Sequence, residues 1–251
     1  MTTYRRTLVQ KKLKPYILAA ASWLLLSYGM FFLIPDTQSV VSLAQEDGLF
    51  EYMGAFLFLF SGVLFLLNFW KGGKRGNIWT FRNVLFLLLG LVFLFGFFEE
   101  ISWGQRIFNI ATPDGIKAIN TQNELNFHNL SFWNDRDENG MRATGLKSLF
   151  TVTRLFSIFW FSFCCFLPTL YHAVGQVRKR LNKISFPVVP LSIGIFFMVN
   201  YLMLKVFTPM VDAVLQYPMV EVSESASAFL FFLVSLWFVN NRAPNRPSTH
   251  S

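Results

Sequence analysis

The chain has 251 residues, of which 53% are hydrophobic, 18% aromatic and only 14% charged. Soluble domains carry about 25% charged residues, so the polar shell is too thin to cover a water-soluble core of this size. The formal charge of +8 does not point to nucleic acid, because the basic residues fall in short clusters between apolar runs, the pattern of a polytopic membrane protein.

A spanning helix needs about 20 mostly apolar residues. The first such segment is 15–34, after a basic head with Arg5, Arg6, Lys11, Lys12 and Lys14. A cleaved leader with a site near Ser42, Leu43 and Ala44 is the competing reading, but the apolar stretch is too long and the site too distant. Further spans are expected at about 49–70, 83–103, 148–174, 188–207 and 224–240. The sequence therefore predicts an all-α bundle of about six transmembrane helices in one membrane domain. A partly helical cap at 104–147 joins the third and fourth spans. Cys164 and Cys165 are neighbours inside an apolar run and read as small apolar filler. The phenylalanine-rich runs read as lipid-facing.

Orientation follows from the basic residues. The head, the loops after spans two and four, and the tail hold 15 of the 22 Lys and Arg, and alternation puts all four on one side. That side is expected to be the cytoplasm, which places both termini there. All 14 acidic residues fall on the other side or at the outer ends of spans.

The outer end of the third span concentrates the chemistry. Val84 to Phe98 gives about 22 Å of helix, short of the roughly 30 Å hydrocarbon core. The helix is therefore expected to continue through Glu99, Glu100, Ile101, Ser102 and Trp103. Two adjacent carboxylates at that depth need a compensating ion, a cation, a shared proton or a water-filled cavity. Glu51, Glu221 and Glu224 reach a similar level from other spans, with Lys205 and Arg154 nearby. Glu221 and Glu224, three residues apart, share a helix face with Ser225 and Ala228 continuing it in small residues.

The long outer segment carries Gln105 and Arg106, then Thr112 and Pro113 as an N-cap and first helical residue. It ends in Asn120, Gln122, Glu124, His128 and Asn129. A helical 99–106 would let Glu99 pair with Arg106. A helical 124–128 would put Glu124 and His128 four residues apart on one face, where they could hold an ion together. The run from Asn134 to Gly140 has the composition of a calcium loop without its spacing or final glutamate, so it reads as a solvated turn.

The string Glu-Glu-Ile-Ser-Trp-Gly-Gln-Arg-Ile-Phe at 99–108, with Asn120, Gln122, Glu124, His128 and Asn129, resembles the signature of an uncharacterised family of bacterial multi-pass inner-membrane proteins. The resemblance implies a bacterial inner-membrane location and marks these positions as the site. The Glu-Glu pair is also similar to the Glu-Glu-x-x-x-Arg motif of intramembrane CAAX-type proteases, but Gly104 stands where that motif has its arginine. The three intramembrane histidines of alkaline ceramidase-like hydrolases have no counterpart here.

Three functions fit these features. The first is a metal-assisted hydrolase or transferase acting on an envelope lipid or lipid-linked precursor. In it Glu99, Glu100, Glu124 and His128 are the catalytic candidates, and Glu100, Glu124 and His128 the candidate ligands of a zinc, manganese or magnesium ion. Trp103, Gln105, Arg106, Asn120, Asn129, Glu221 and Glu224 would bind substrate. The second is an ion- or proton-coupled transporter, for which Asn200 inside the fifth span is a further polar group. The third is a non-catalytic envelope assembly or partner-binding protein. The bilayer is a partner in each, and the oligomeric state is open.

Overall fold

The computed structural model describes residues 3–45, 48–73, 78–121, 123–133 and 150–241, with the side chains of residues 3–10, 73 and 106 outside that description. Among the described residues the fold is all-α, and six helices are long and apolar enough to cross a membrane. Helix α1 (Thr3–Leu33) leads to a short α2 (Thr37–Ala44), then α3 (Leu49–Gly73) and α4 (Phe81–Glu100). The described part of the cap includes the single-turn α-helices α5 (Gln105–Phe108) and α6 (Asp114–Lys117). The fourth span consists of α7 (Val152–Trp160), a π-helical turn (Phe161–Phe166) and α8 (Leu167–Ala173). The basic helix α9 (Gly175–Lys183), α10 (Leu191–Phe207) and α11 (Ala213–Asn240) follow.

Local chemistry explains the breaks. Asp36 caps α2, its carboxylate accepting the backbone N–H groups of Gln38 and Ser39 at 3.2 Å each. Bonds to the Ser39 hydroxyl and to these amides hold its pKa below the usual carboxylate value. Thr80 caps α4 by accepting from the Asn83 N–H. The π turn lies where Gly194 of α10 presses on the Cys164 carbonyl so closely that no side chain fits. One widened turn relieves that crowding, and the Cys165 thiol donates to the Gly194 carbonyl at 3.2 Å. Both cysteines are buried and free.

Helix α11 is the axis of the bundle: 67% of its most apolar stretch is buried, against 22–39% for the other five spans. Its small residues Ser223, Ser225, Ala226, Ser227 and Ala228 are all buried and admit neighbouring backbones closely. Helices α3 and α4 cross just as tightly, since a Cβ on Gly62 would lie 3.1 Å from the Gly90 carbonyl oxygen. Phenylalanines divide between lipid and core. Phe32, Phe56, Phe60 and Phe95 are exposed, whereas Phe65, Phe86, Phe93, Phe197 and Phe231 are buried. Phe93 and Phe197 meet Phe231 at centroid distances of 4.7 and 4.8 Å, so ring packing as well as lipid contact accounts for the abundance of this residue.

Asn200 is part of a structural lock. Its Oδ1 accepts from the Tyr28 hydroxyl at 2.8 Å, and its Nδ2 donates to the Ser223 carbonyl at 2.9 Å and the Ser227 hydroxyl at 3.0 Å. The network ties α1, α10 and α11 together and satisfies a buried amide inside the bundle.

Candidate functional site

Helix α4 stops at Glu100 and does not run on through Trp103 as its length suggested. Ser102, Trp103 and Gly104 have φ of 46°, 54° and 77°. Three successive left-handed residues reverse the chain, and only glycine takes that conformation freely. Strain of this kind costs on the order of 1–3 kcal/mol per non-glycine residue. Side-chain bonds hold the turn: the Ser102 hydroxyl donates to Glu124 Oε2 at 2.7 Å and accepts from Asn126 Nδ2 at 3.3 Å, and the Trp103 indole donates to Glu99 Oε1 at 2.6 Å.

Glu99 fastens the cap to the bundle. It is 5% exposed, and its Oε2 accepts the backbone N–H groups of Phe127 at 2.7 Å and His128 at 3.0 Å. The same oxygen faces His128 Nδ1 at 3.4 Å. Burial pushes the imidazole pKa down, but the Glu99 bond and the charges of Glu100, Glu99 and Glu124 outweigh it, so the net shift is upward. The expected pairing of Glu99 with Arg106 concerns a side chain outside the described residues.

The remaining polar candidates build the cap. Residues 119–121 and 123–131 pair through a bridge between Asn120 and Leu130. The Thr121 N–H donates to the Asn129 carbonyl at 2.9 Å and the Ser131 N–H to the Ile119 carbonyl at 2.8 Å. Asn120 Nδ2 donates to the Asn126 carbonyl at 3.1 Å, and its Oδ1 accepts the Glu124 N–H at 3.1 Å. Gln105 accepts the Leu125 N–H at 2.7 Å and donates to the Thr112 hydroxyl, which donates to the Asn123 carbonyl at 2.6 Å. Thr112 is therefore not the N-cap of α6; Pro113 occupies that position. Gln105 and Asn120 use polar groups proposed for substrate to hold the loop in shape, and Asn129 lends its carbonyl to the same end.

Residues 124–128 are not helical, so Glu124 and His128 do not share a helix face. Glu124 Oε2 accepts from Ser102 and from Asn126 Nδ2, both at 2.7 Å, while His128 turns to Glu99. The expected metal set of Glu100, Glu124 and His128 is not assembled. Among the described residues no three His, Cys, Asp or Glu side chains are placed to hold an ion. Gln122 and the run from Asn134 to Gly140 lie outside the described residues.

Two recesses flank this network. Trp103, Ile116, Ile119, Leu125, Phe127 and Leu130, with Asn126, line a cavity of about 420 Å³ in the cap. Trp103 and Phe127 belong both to its wall and to the donors of Glu99. Ile107 and Phe108, 70% and 72% exposed, give the cap apolar side chains of the kind that settle among lipid headgroups.

The second recess is small, about 10 Å³, and lies between α3, α4 and α11. Glu51, Glu100, Glu221 and Glu224 line it, with Phe50, Gly54, Phe58 and Ser225. The five carboxylates expected at one level thus divide: four face one pocket and Glu99 turns to the cap. Glu221 and Glu224, expected to bind substrate, are walls of the acidic pocket. The two cations are elsewhere, since Lys205 Nζ sits 5.5 Å from the centre of the Tyr201 ring and Arg154 is exposed. Sequence reasoning missed Ser102 and Asn126 as members of the Glu124 network. No spacing rule signals a bond across 22 residues, and only the left-handed turn brings these groups together.

No protein-family model matches the chain, and comparison with curated proteins and with solved structures gives no match either.

Proposed function

We propose that this protein is a membrane-embedded hydrolase or transferase that acts on an envelope lipid or lipid-linked precursor. In this reading it lies in a bacterial inner membrane with both termini in the cytoplasm and the cap outside. The placement of basic residues supports the orientation, and the signature at 99–108 supports the location.

The observation that carries the reading is the junction of a carboxylate–imidazole pair with an apolar cavity. His128 stands against Glu99, and Trp103 and Phe127, both bonded to Glu99, wall the cavity. An acyl or isoprenoid chain would occupy the cavity, which brings the polar end of an amphiphile to His128. Glu99 holds Nδ1 and leaves Nε2 for proton transfer. The neutral ring takes a proton from water or an acceptor hydroxyl as it attacks the acyl or phosphoryl centre, and the imidazolium returns it to the leaving oxygen. Glu100, in the electrostatic reach of His128, favours the charged ring that forms in that step. The acid–base form is favoured over the metal form because Glu124 and His128 already have separate partners.

The test is turnover of an inner-membrane lipid extract by the protein in nanodiscs, with products read by mass spectrometry. Wild-type protein should convert one lipid class, and His128→Ala should lower the rate by about 10²–10⁴-fold, the usual weight of general acid–base catalysis. Conversion by His128→Ala at the wild-type rate would refute this assignment. The acidic pocket favours a second reading, ion- or proton-coupled transport; gradient-driven uptake abolished by Glu224→Gln would establish it.

A further inference from the structure

Helix α9 takes no part in the sites at the other end of the bundle. It holds Arg178, Lys179, Arg180 and Lys183 and no acid, and no Asp or Glu occurs between Glu138 and Asp212. All four cations are exposed, and none is in an ion pair among the described residues. Val177 and Leu181, four residues apart, share one face and are partly buried. Val174 and Ile184 extend that stripe at its ends and are 40% and 42% exposed. At about 100° per residue, Arg178 and Arg180 flank the stripe at roughly 80° on either side, and Lys179 and Lys183 lie on the far side.

The position of α9 follows from its ends. Val174 leaves the helical conformation with φ of −114° and ψ of 108°. If α9 simply prolonged α8, Tyr171 and Asn182 would stand about 16 Å apart along the axis. Instead the Tyr171 hydroxyl donates to Asn182 Oδ1 at 3.1 Å, so the chain turns back over the end of the bundle. Ser185, with φ of 52°, closes α9: its N–H donates to the Asn182 carbonyl at 3.1 Å and the Phe186 N–H to the Leu181 carbonyl at 2.9 Å. The Phe186 ring re-enters the bundle, 6.3 Å from Phe163 and 6.1 Å from Phe81. Phe81 opens α4 two residues after Trp79, which is 69% exposed and of a type that gathers at the membrane interface. These contacts hold α9 at the headgroup level of the leaflet opposite the cap.

We propose that α9 is a docking surface for anionic phospholipid headgroups of that leaflet, with Arg178 and Arg180 pairing with the phosphates and Lys179 and Lys183 adding attraction. Charge complementarity decides the occupant. Four cations lie within the stretch 178–183, and the acids that could answer them lie at the other end of the spans. An apolar stripe flanked by arginines fits the boundary between acyl chains and phosphates, and the guanidinium fork matches a phosphate's paired oxygens. A zwitterionic headgroup brings its own cation and leaves the four charges unbalanced. An acidic protein or a nucleic acid would meet the charges but not the stripe. The surface is independent of the reaction proposed at His128, and its test reads lipid retention, not turnover.

Delipidated full-length protein in detergent would be titrated with phosphatidylglycerol or phosphatidylcholine, and retained lipid counted by native mass spectrometry. Wild-type protein should retain phosphatidylglycerol in preference to phosphatidylcholine. Arg178→Gln combined with Arg180→Gln should weaken that retention about 25-fold, since each cation near an anionic surface is worth about fivefold. Lys117→Gln, in the cap, should leave it unchanged. Where the double variant does not fold, wild-type protein serves alone. In nanodiscs its amides at 175–184 should exchange more slowly with phosphatidylglycerol than with phosphatidylcholine, and high salt should shrink the difference. Equal retention of the two lipids, or equal exchange in the two nanodiscs, would overturn the proposal. So would retention unchanged in the double variant. Displacement of the lipid by soluble polyglutamate at equal concentration would assign the surface to an acidic protein instead.

Discussion

His128 Nδ1 lies 3.4 Å from Glu99 Oε2, and that same oxygen accepts the His128 backbone N–H at 3.0 Å. One carboxylate thus fixes both the main chain and the ring of a residue that lies 29 positions away. Removing its charge should act on the two together. Glu99→Gln leaves an amide facing two backbone donors, and bonds to charged acceptors are worth about 1.5–3 kcal/mol. The amides of Phe127 and His128 should exchange faster in the variant, and the His128 titration should move down. Unchanged exchange at these amides would show that the carboxylate does not secure the cap.

The wild-type cap should loosen as pH rises. His128 has a folded pKa above its ordinary value of about 6.5. Its imidazolium therefore stabilises the folded state in full below that value, and the contribution disappears as pH climbs through the raised folded pKa. Hydrogen exchange of residues 119–131, compared at pH values either side of this window, should show protection falling toward alkali. The trend should vanish in His128→Ala.

Trp103→Phe keeps the ring that stacks on Phe98 at 5.3 Å and deletes the indole N–H given to Glu99. The left-handed turn then loses the one anchor that ties it to Glu99 through the indole. A loss of about 1.5–3 kcal/mol is expected, measurable as a lower unfolding temperature in detergent. Ser102→Ala, which removes the hydroxyl bonded to Glu124 and Asn126 but leaves those two bonded to each other, should cost less.

Asn200→Leu removes the bonds to Tyr28, Ser223 and Ser227 and should lower stability by about 1–2 kcal/mol, the range for such contacts in membranes. Lipid turnover by the folded variant should persist. Its abolition without unfolding would give Asn200 a role in a polar pathway and favour transport.

The bundle was legible from the sequence because hydrophobic length and basic segregation are properties of single segments. Glu51, Glu100, Glu221 and Glu224 could be placed at one level for the same reason, since counting along a helix fixes depth. What counting does not fix is direction. Glu99 and Glu100 are neighbours on one helix, so they point about 100° apart, and that rotation sends one to the cap and the other to the acidic pocket. The cap itself was misread where helical spacing was assumed, at 99–106 and 124–128. Its shape depends on the positive φ of Ser102, Trp103 and Gly104, and only the glycine advertises such a turn. The bonds from Ser102 to Glu124 and from Glu99 to Phe127 follow from that reversal.

The crossing of Gly62 and Gly90 has a mechanical corollary. Glu51 lies eleven residues from Gly62 and Glu100 ten from Gly90, about 15–17 Å of antiparallel helix on the same side of the pivot. Backbone contact at the pivot makes these two arms a stiff fork whose tips carry carboxylates. Changes in the width of the acidic pocket must then come from sliding or tilting of α11, which carries Glu221 and Glu224 past the Gly54–Ser225 contact. A methyl group at Gly54 would meet Ser225 at 3.5 Å, an ordinary contact, so only a side chain larger than alanine's would jam that bearing.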